Sequence, residues 1–212
     1  FIADAGHEIK TPLTIIDANC EILEMEYGTT EWSQSIQKQT ARLLELTNSL
    51  IYLSRMEEPK KHLQKFDFSI TDLVEETVQS FQTLATAQEK TISADIKPLL
   101  SYCGDQSSIG QLVSILLDNA VKYSPAQSSI QVTLDKRGKN ICLMVCNSAK
   151  ELSPEHLPHL FDRFYRTDAS RNSQTGGYGI GLSIARAIID AHKGKIWAER
   201  RDGDFLLVTV LL

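Results

Sequence analysis

The sequence has no excess of basic charge: 22 Lys and Arg stand against 27 Asp and Glu, a formal net charge of -5. A chain so balanced offers no basic face to a phosphate backbone, so a nucleic-acid partner is not expected. No apolar run in these residues approaches the roughly 20 that cross a bilayer, and none reads as a signal peptide, an expectation that concerns this stretch only. The four cysteines, Cys20, Cys103, Cys142 and Cys146, show no C-x-x-C spacing. That argues against zinc and against a redox dithiol, and reads as small core residues of a reduced, cytosolic protein. No Gly-Lys-Ser/Thr follows any glycine cluster, which excludes a P-loop, and no apolar strand leads directly into the glycines, as the dinucleotide fingerprint requires.

What is present is enough apolar material, 42% over 212 residues, for one good core and two unequal units. The chain begins abruptly at Phe1-Ile2-Ala3, already inside a helical pattern, and the expectation is that further sequence precedes it. From Ile9, the positions Ile9, Leu13, Ile16, Cys20, Leu23 and Tyr27 alternate in steps of four and three, a heptad seam. Gly28-Thr29-Thr30 breaks it. Thr30 is a plausible N-cap for a second helix that repeats Ile36, Leu43 and Leu50, with Leu46 and Leu53 offset. Residues 1–57 thus read as an antiparallel hairpin with more seam than one copy can bury, which predicts a homodimeric four-helix bundle.

His7, Glu8, Thr11 and Pro12 cluster near the start of the first helix. Proline removes a helical hydrogen bond at a cost of roughly 3 kcal/mol and frees the carbonyl of Glu8. His7 falls off the apolar seam, with Glu8 beside it and Thr11 one turn on. The residues alone leave two readings open, a surface histidine on a polar face or a reactive one.

Residues 58–65, containing Glu58-Pro59-Lys60-Lys61, read as a linker, and 66–212 as a second domain. Strands are expected at 66–68, 91–96, 99–103, 130–134, 141–145, 195–198 and 205–210. Helices are expected over about 69–87, capped by Ser69 or Thr71, over 105–122, and over 181–192. The sum is α+β, helices layered on one face of a mixed sheet whose other face is more polar.

Within it, Phe161-Asp162-Arg163-Phe164-Tyr165-Arg166 is followed by a polar run, Thr167 to Thr175, that reads as a mobile lid. Gly177, Gly179 and Gly181 then lead into an apolar-periodic helix beginning with Leu182. Glycines admit close backbone approach, and a helix N-terminus offers unpaired donors with partial positive charge, a design that suits a polyphosphate. A tight lead into a helix would read the same way. Asn119 opposes the apolar stripe of its helix and could ligate a hard cation such as Mg²⁺, with Lys122 balancing phosphate charge. Asn and Lys simply ending a helix fit as well. His62, His156, His159 and His192 carry no functional reading; the first three are expected to be solvated, and His192 to be a cation at a helix end. Trp32 and Trp197 are expected to pack.

Taken in order, His7-Glu8-Ile9-Lys10-Thr11-Pro12-Leu13, Asp118-Asn119-Ala120-Val121-Lys122-Tyr123, Phe161-Asp162-Arg163-Phe164-Tyr165-Arg166 and Gly177-Tyr178-Gly179-Ile180-Gly181-Leu182 resemble the motifs of bacterial sensor histidine kinases. The resemblance covers nearly the whole chain. It implies a dimerisation and phosphoacceptor hairpin, then an α/β sandwich of the Bergerat (GHKL) type shared with Hsp90-like and gyrase-like ATPases. On it, His7 is the phosphoacceptor and Glu8 the acid that takes its proton. Thr11 matches the position associated with removing the phosphoryl group, so phosphatase activity is implied as well. Asn119 would hold Mg²⁺, Lys122 and Tyr123 would lie near the phosphates of ATP, and Arg163, Phe164 and Arg166 would order the lid. The implied partners are a second copy and a response-regulator receiver domain. The implied location is the cytoplasmic side of a membrane-anchored sensor.

Two departures weaken the resemblance locally. Where the family has Asp-x-Gly-x-Gly, this chain has Asn147-Ser148-Ala149-Lys150-Glu151. Asn147 can still hydrogen-bond adenine, but neither glycine is kept. One turn before Asn119, Ile115 replaces a polar residue and can neither bind metal nor activate water, which disfavours an ordinary GHKL-type ATPase. A degenerate, non-catalytic scaffold that binds nucleotide weakly is the alternative.

Overall fold

A computed structural model describes residues 2–57, 63–150, 152–167 and 177–212, the side chains of 2–7 and of residue 57 aside. The chain divides into two compact units, Phe1–Lys61 and His62–Leu212.

The first unit is a helical hairpin, α1 (Ile2–Tyr27) and α2 (Glu31–Glu57). Pro12 lies inside α1, which continues through it. Gly28 ends α1 at φ +83°, its N–H donating to Glu24 O at 2.9 Å, the left-handed residue that commonly stops a helix. Thr30 begins α2 as expected: its Oγ1 accepts from Ser33 N at 3.1 Å, and Ser33 Oγ accepts from Thr30 N at 3.0 Å. This reciprocal arrangement is a capping box built with serine. Leu13 and Cys20 are buried, as are Thr40, Thr47, Ile51, Leu53 and Met56 of α2. Near the turn, Glu24 accepts hydrogen bonds from Ser33 Oγ and Gln37 Nε2. Ile9, Ile16 and Leu23, seven residues apart, stay 43–53% exposed, and Ile36 and Leu43 of α2 are similarly open. The single expected seam therefore divides in two: Leu13 and Cys20 face inward, and the Ile9-Ile16-Leu23 row outward. Trp32, expected to pack, is instead 82% exposed.

The second unit holds, among its described residues, strands β1 (Phe66–Ser69), β2 (Thr91–Ile96), β3 (Ser101–Gly104), β4 (Ser129–Arg137), β5 (Asn140–Ser148), β6 (Lys195–Arg201) and β7 (Phe205–Leu211). Its helices are α3 (Ile70–Ala87), α4 (Gln106–Tyr123) and α5 (Gly181–Ala191), with a short 3-10 helix at Pro154–His159. A five-stranded sheet runs β2-β4-β5-β7-β6, antiparallel except for the parallel β2–β4 pair. The β1 and β3 strands pair only with each other. This differs from the one mixed sheet expected: β3 starts at Ser101 and not Leu99, because the chain turns at Pro98-Leu99 with Leu99 at φ +58°.

The core lies between the sheet and the three helices. Ile109, Leu112, Val113, Leu116 and Leu117 of α4 meet Ile130, Val132 and Leu134 of β4 and Leu143 and Val145 of β5, all buried. Gln131 and Glu199, by contrast, are exposed, so alternation along the strands gives the more polar outer face that was expected. Each fully buried Leu or Ile contributes about 1.5–3 kcal/mol. Ser69 Oγ caps α3 by accepting from Asp72 N. Thr71, the other candidate cap, instead ties the Pro98 turn, donating to Lys97 O and accepting from Leu100 N.

Candidate functional site

The α4 helix is capped at Asp105, whose Oδ1 accepts from Ser108 N and Ser107 Oγ. Burial works against that carboxylate, but those hydrogen bonds prevail and hold it below the usual range. The same cap is tied to the end of α5: Asp105 N donates to His192 Nε2 at 3.1 Å, and His192 Nδ1 donates to Ile188 O at 2.8 Å. His192 is thus a buried acceptor, 7% exposed, and burial depresses its pKa. The expected cation at a helix end is corrected to a neutral imidazole of fixed tautomer.

At the other end of α4, the Lys90 ammonium is buried and donates to Val121 O and Gln88 Oε1. It closes one of the last carbonyls of the turn that carries Asn119 and Lys122. Ile115, Asn119 and Lys122 form a half-exposed face of α4, and Tyr123 is 40% exposed. Lys122 Nζ is held by Asp118 Oδ2 at 2.7 Å, an i,i+4 pair. Asp118 has no role of its own in the sequence motifs; its spacing from Lys122 is the signal that points to it.

The N-terminus of α5 approaches this face, since a Cβ on Gly181 would stand 3.6 Å from Ile115 Cγ2. Ile180, at the N-cap position, supplies no side-chain cap, and Ser183 Oγ turns back to donate to Ile180 O. Among the described residues, then, the first N–H groups of α5 at Gly181 and Leu182 carry no side-chain acceptor, the state of a helix end that can receive an anion. Gly179 has φ +72°, and a Cβ there would lie 2.6 Å from Tyr165 O and 2.9 Å from Phe164 C. Its carbonyl accepts from Phe164 N at 2.9 Å. Gly177 is open, with nothing within 4 Å of an added Cβ.

Leading into this turn, Phe164 sits at φ +61° with its ring 56% exposed. Arg163 is exposed and Arg166 half-buried. Residues 168–176, most of the stretch read as a lid, lie outside the described residues. Of two histidines expected to be solvated, His159 is exposed and His156 half-buried, and each has a side-chain partner. His156 Nδ1 lies 2.6 Å from Tyr165 OH, and His159 Nδ1 lies 2.8 Å from Asp162 Oδ2. Sequence periodicity gave no hint of these, because a 3-10 turn has neither of the repeats such reasoning uses.

Asn147, on β5, is 3% exposed. Its Nδ2 donates to Ser148 O at 3.0 Å, which leaves Oδ1 as an acceptor. Ala149 N is tied to Asp204 O at 2.8 Å, fixing the strand end where the family pattern has glycine. Of the remaining sequence-predicted residues, Glu8 and Thr11 are exposed on α1. His7 lies in the helix, and its side chain falls outside what is described. The four cysteines are free thiols. Cys20 and Cys142 are buried as expected, but Cys103 is exposed on its two-stranded sheet.

Comparison with known proteins matches residues 104–212 to the family described as histidine kinase-, DNA gyrase B-, and HSP90-like ATPase, and residues 1–59 to the His Kinase A (phospho-acceptor) domain. Sensor protein DltS of Streptococcus agalactiae serotype V is 33% identical over 198 residues, covering 93% of this chain and 50% of that protein. Sensor histidine kinase YkoH of Bacillus subtilis is 34% identical over 217 residues, covering 99% of this chain and 46% of its own. The chain therefore spans about half the length of these relatives. Among solved structures, full-length ShkA in complex with AMPPNP superposes with a TM-score of 0.85 at 20% identity, covering 99% of this chain and 44% of that one. Acinetobacter baumannii histidine kinase AdeS gives 0.70 at 23%, covering 97% and 96%. Those two likenesses concern fold. Together with the sequence matches over both halves, they mean that this chain belongs to the sensor histidine kinases, a phospho-acceptor helical hairpin followed by an ATPase domain of the histidine kinase, gyrase B and HSP90 class.

Proposed function

We propose that this chain takes a phosphoryl group from Mg-ATP onto His7 and passes it to an aspartate of a response-regulator receiver domain. The observation that carries the reading is the uncapped N-terminus of α5, held against the Asn119 face of α4, in a chain whose residues 1–59 match a phospho-acceptor domain.

The residues fit the nucleotide. The free first-turn amides at Gly181 and Leu182 suit phosphate oxygens. Asn147 Oδ1, oriented by the Ser148 bond, can accept from the adenine amino group. Among the described residues of this face, Asn119 is the side-chain ligand offered to Mg²⁺. Ile115 adds none, and no cluster of three His, Cys, Asp or Glu occurs among the described residues, so the ion would be held chiefly by phosphates and water. Lys122, shared with Asp118, and Tyr123 flank the site. Arg163, Phe164 and Arg166 prepare the segment leading to residues 168–176.

Bound Mg-ATP supplies the phosphoryl group and leaves as ADP. A ring nitrogen of His7 forms the N–P bond as the bond to the bridging oxygen breaks, and Glu8 takes the imidazole proton. General-base help of this kind is worth about 10² to 10⁴ in rate; the rest is positioning and charge neutralisation. Thr11 would place the water that hydrolyses the aspartyl phosphate of the regulator, releasing inorganic phosphate. The exposed Ile9-Ile16-Leu23 row with Ile36 and Leu43 supports a dimer built as a four-helix bundle. No helix among the described residues is long and apolar enough to cross a membrane, so membrane anchoring would rest with the remainder of the protein, this part lying on the cytoplasmic side.

Incubation with Mg-ATP should place an acid-labile, base-stable phosphoryl group on the chain and none on His7→Gln; label persisting in that variant would name another acceptor. Ile115 and Ala149 favour the second reading, a scaffold that binds nucleotide poorly. Saturation to 100 Kd stabilises a binding protein by about 2.7 kcal/mol, and no thermal shift with Mg-ATP would decide for the scaffold.

A further inference from the structure

The conformation of Gly179 is determined by neighbours outside the glycine run. Phe164 N donates to its carbonyl, and Tyr165 O fills the space that a side chain would need. Tyr165 is in turn gripped at its far end. His156 Nδ1 is 2.6 Å from the phenol oxygen, and the His159 ring lies 5.3 Å from the Tyr165 ring at an interplanar angle of 36°. Both histidines belong to the 3-10 helix Pro154–His159, which adjoins β6. Arg200 of β6 donates through Nη1 to Leu152 O just ahead of it. An unbroken line of contacts thus runs from the sheet, through the 3-10 helix and Tyr165, to the turn at Gly179 that precedes the first amides of α5.

We propose that His156, acting through Tyr165, is a positioning residue for the phosphate-holding turn; the inference rests on the nucleotide reading above. A glycine at φ +72° has many other conformations open to it, so the turn holds its amides ready only if its neighbours are fixed. Affinity gained by preorganisation is lost when such a support is loosened. The His156–Tyr165 bond is the strongest candidate for that support, because both groups are half-buried. The His159–Asp162 pair has both side chains more than half exposed and is screened by water. Neither histidine reaches the turn itself, so the role is positioning and not catalysis.

The test compares ATP and adenosine binding by the purified chain for wild type, Tyr165→Phe, His156→Ala, the double variant, and His156→Asn. The last retains a hydrogen-bonding group close to the place of Nδ1. One net hydrogen bond corresponds to about fivefold in affinity. ATP should therefore bind about fivefold more weakly to each single variant and no worse to the double variant. His156→Asn should recover most of the loss, and adenosine, which has no phosphates, should bind all of them alike. Faster amide exchange at Gly179 in Tyr165→Phe, with an unchanged melting temperature, would agree. Equal weakening of adenosine, additive losses, or unchanged ATP affinity would each overturn the positioning role while leaving nucleotide binding intact. A wild-type chain that binds neither ligand would overturn both readings at once.

Discussion

The three glycines before and at the start of α5 look equivalent in the sequence, yet their surroundings predict very different costs for an added methyl group. At Gly179 the new Cβ would stand 2.6 Å from Tyr165 O and 2.9 Å from Phe164 C, both backbone atoms that cannot swing aside, and 3.1 Å from Arg166 Cγ. The left-handed φ of +72° adds roughly 1–2 kcal/mol for any residue with a Cβ. Relieving the overlap by moving the backbone costs about 1–3 kcal/mol more and threatens the Phe164 N–H bond to Gly179 O. Gly179→Ala should therefore lose about 2–5 kcal/mol locally. If that falls on the phosphate-binding conformation, ATP affinity drops from roughly thirtyfold to more than a thousandfold. Gly177→Ala meets nothing within 4 Å, and Gly181→Ala makes only an ordinary 3.6 Å contact with Ile115 Cγ2. Both should bind nucleotide within about threefold of wild type, as their strain is within the few tenths of a kcal/mol expected of an open site. Isothermal titration with ATP, run beside thermal unfolding, measures all three. Equal losses at Gly177 and Gly179, or a tolerated Gly179→Ala, would refute the argument that Tyr165 and Phe164 fix this turn.

Other expectations follow from single groups. Burial depresses the His192 pKa despite help from Ile188 O and the Asp105 charge, with Lys65 pushing the same way as burial. Between that depressed value and the ordinary one near 6.5, the unfolded chain binds more protons than the native one. The stabilisation is thus complete above about pH 6.5 and declines as pH falls below it. Urea midpoints taken from pH 7.5 to 5.5 should show this slope in wild type and a smaller one in His192→Gln; identical slopes would contradict the assignment. Asn119→Ala should remove phosphorylation of His7 while the melting temperature stays within a few degrees, and an unaltered rate would take Asn119 out of metal binding. Thr11→Ala should slow release of phosphate from a phosphorylated receiver domain by about tenfold or more while sparing labelling of His7; losing both equally would deny it a role in that hydrolysis. Asn147→Leu, which removes the Oδ1 acceptor, should weaken ATP and adenosine together by about tenfold, in contrast to the phosphate-selective changes at Tyr165.

How much of this could be seen in the sequence depends on the range of the interaction that decides each feature. Elements set by their own periodicity were legible: α4 from Ile109, Leu112, Val113 and Leu116, the β4–β5 hairpin around Gly138, and the α2 cap at Thr30. The departures at Ile115 and Asn147 could be named in advance, because each concerns one residue type at one place. What failed to show were pairings set by the path of the chain. The separation of β1–β3 from the main sheet follows from the turn at Leu99, a residue whose type disfavours the positive φ it adopts. His192 reads as a cation because a helix end favours one locally, whereas its neutral state follows from burial and from the backbone N–H of Asp105, 87 residues earlier, which needs an acceptor.

The same distinction bears on how the site works. The groups legible as motif, Gly179, Gly181 and Asn119, are those that would touch nucleotide, and each has little to hold it in place: two lack a side chain, and the third sits on a half-exposed helix face. The groups that were not legible, His192 on the cap of α4, Lys90 on its last turn and His156 on Tyr165, hold the helix and the neighbouring chain on which they sit. Ligand-facing atoms must be free to pair with phosphate and so cannot also be tied to the protein. Their orientation has to come from residues one contact further out, drawn from other elements. A variant that leaves every motif residue intact but cuts one of these three restraints should therefore lose affinity with no change at the surface the nucleotide meets. That outcome separates a preorganised site from one shaped only when its ligand arrives.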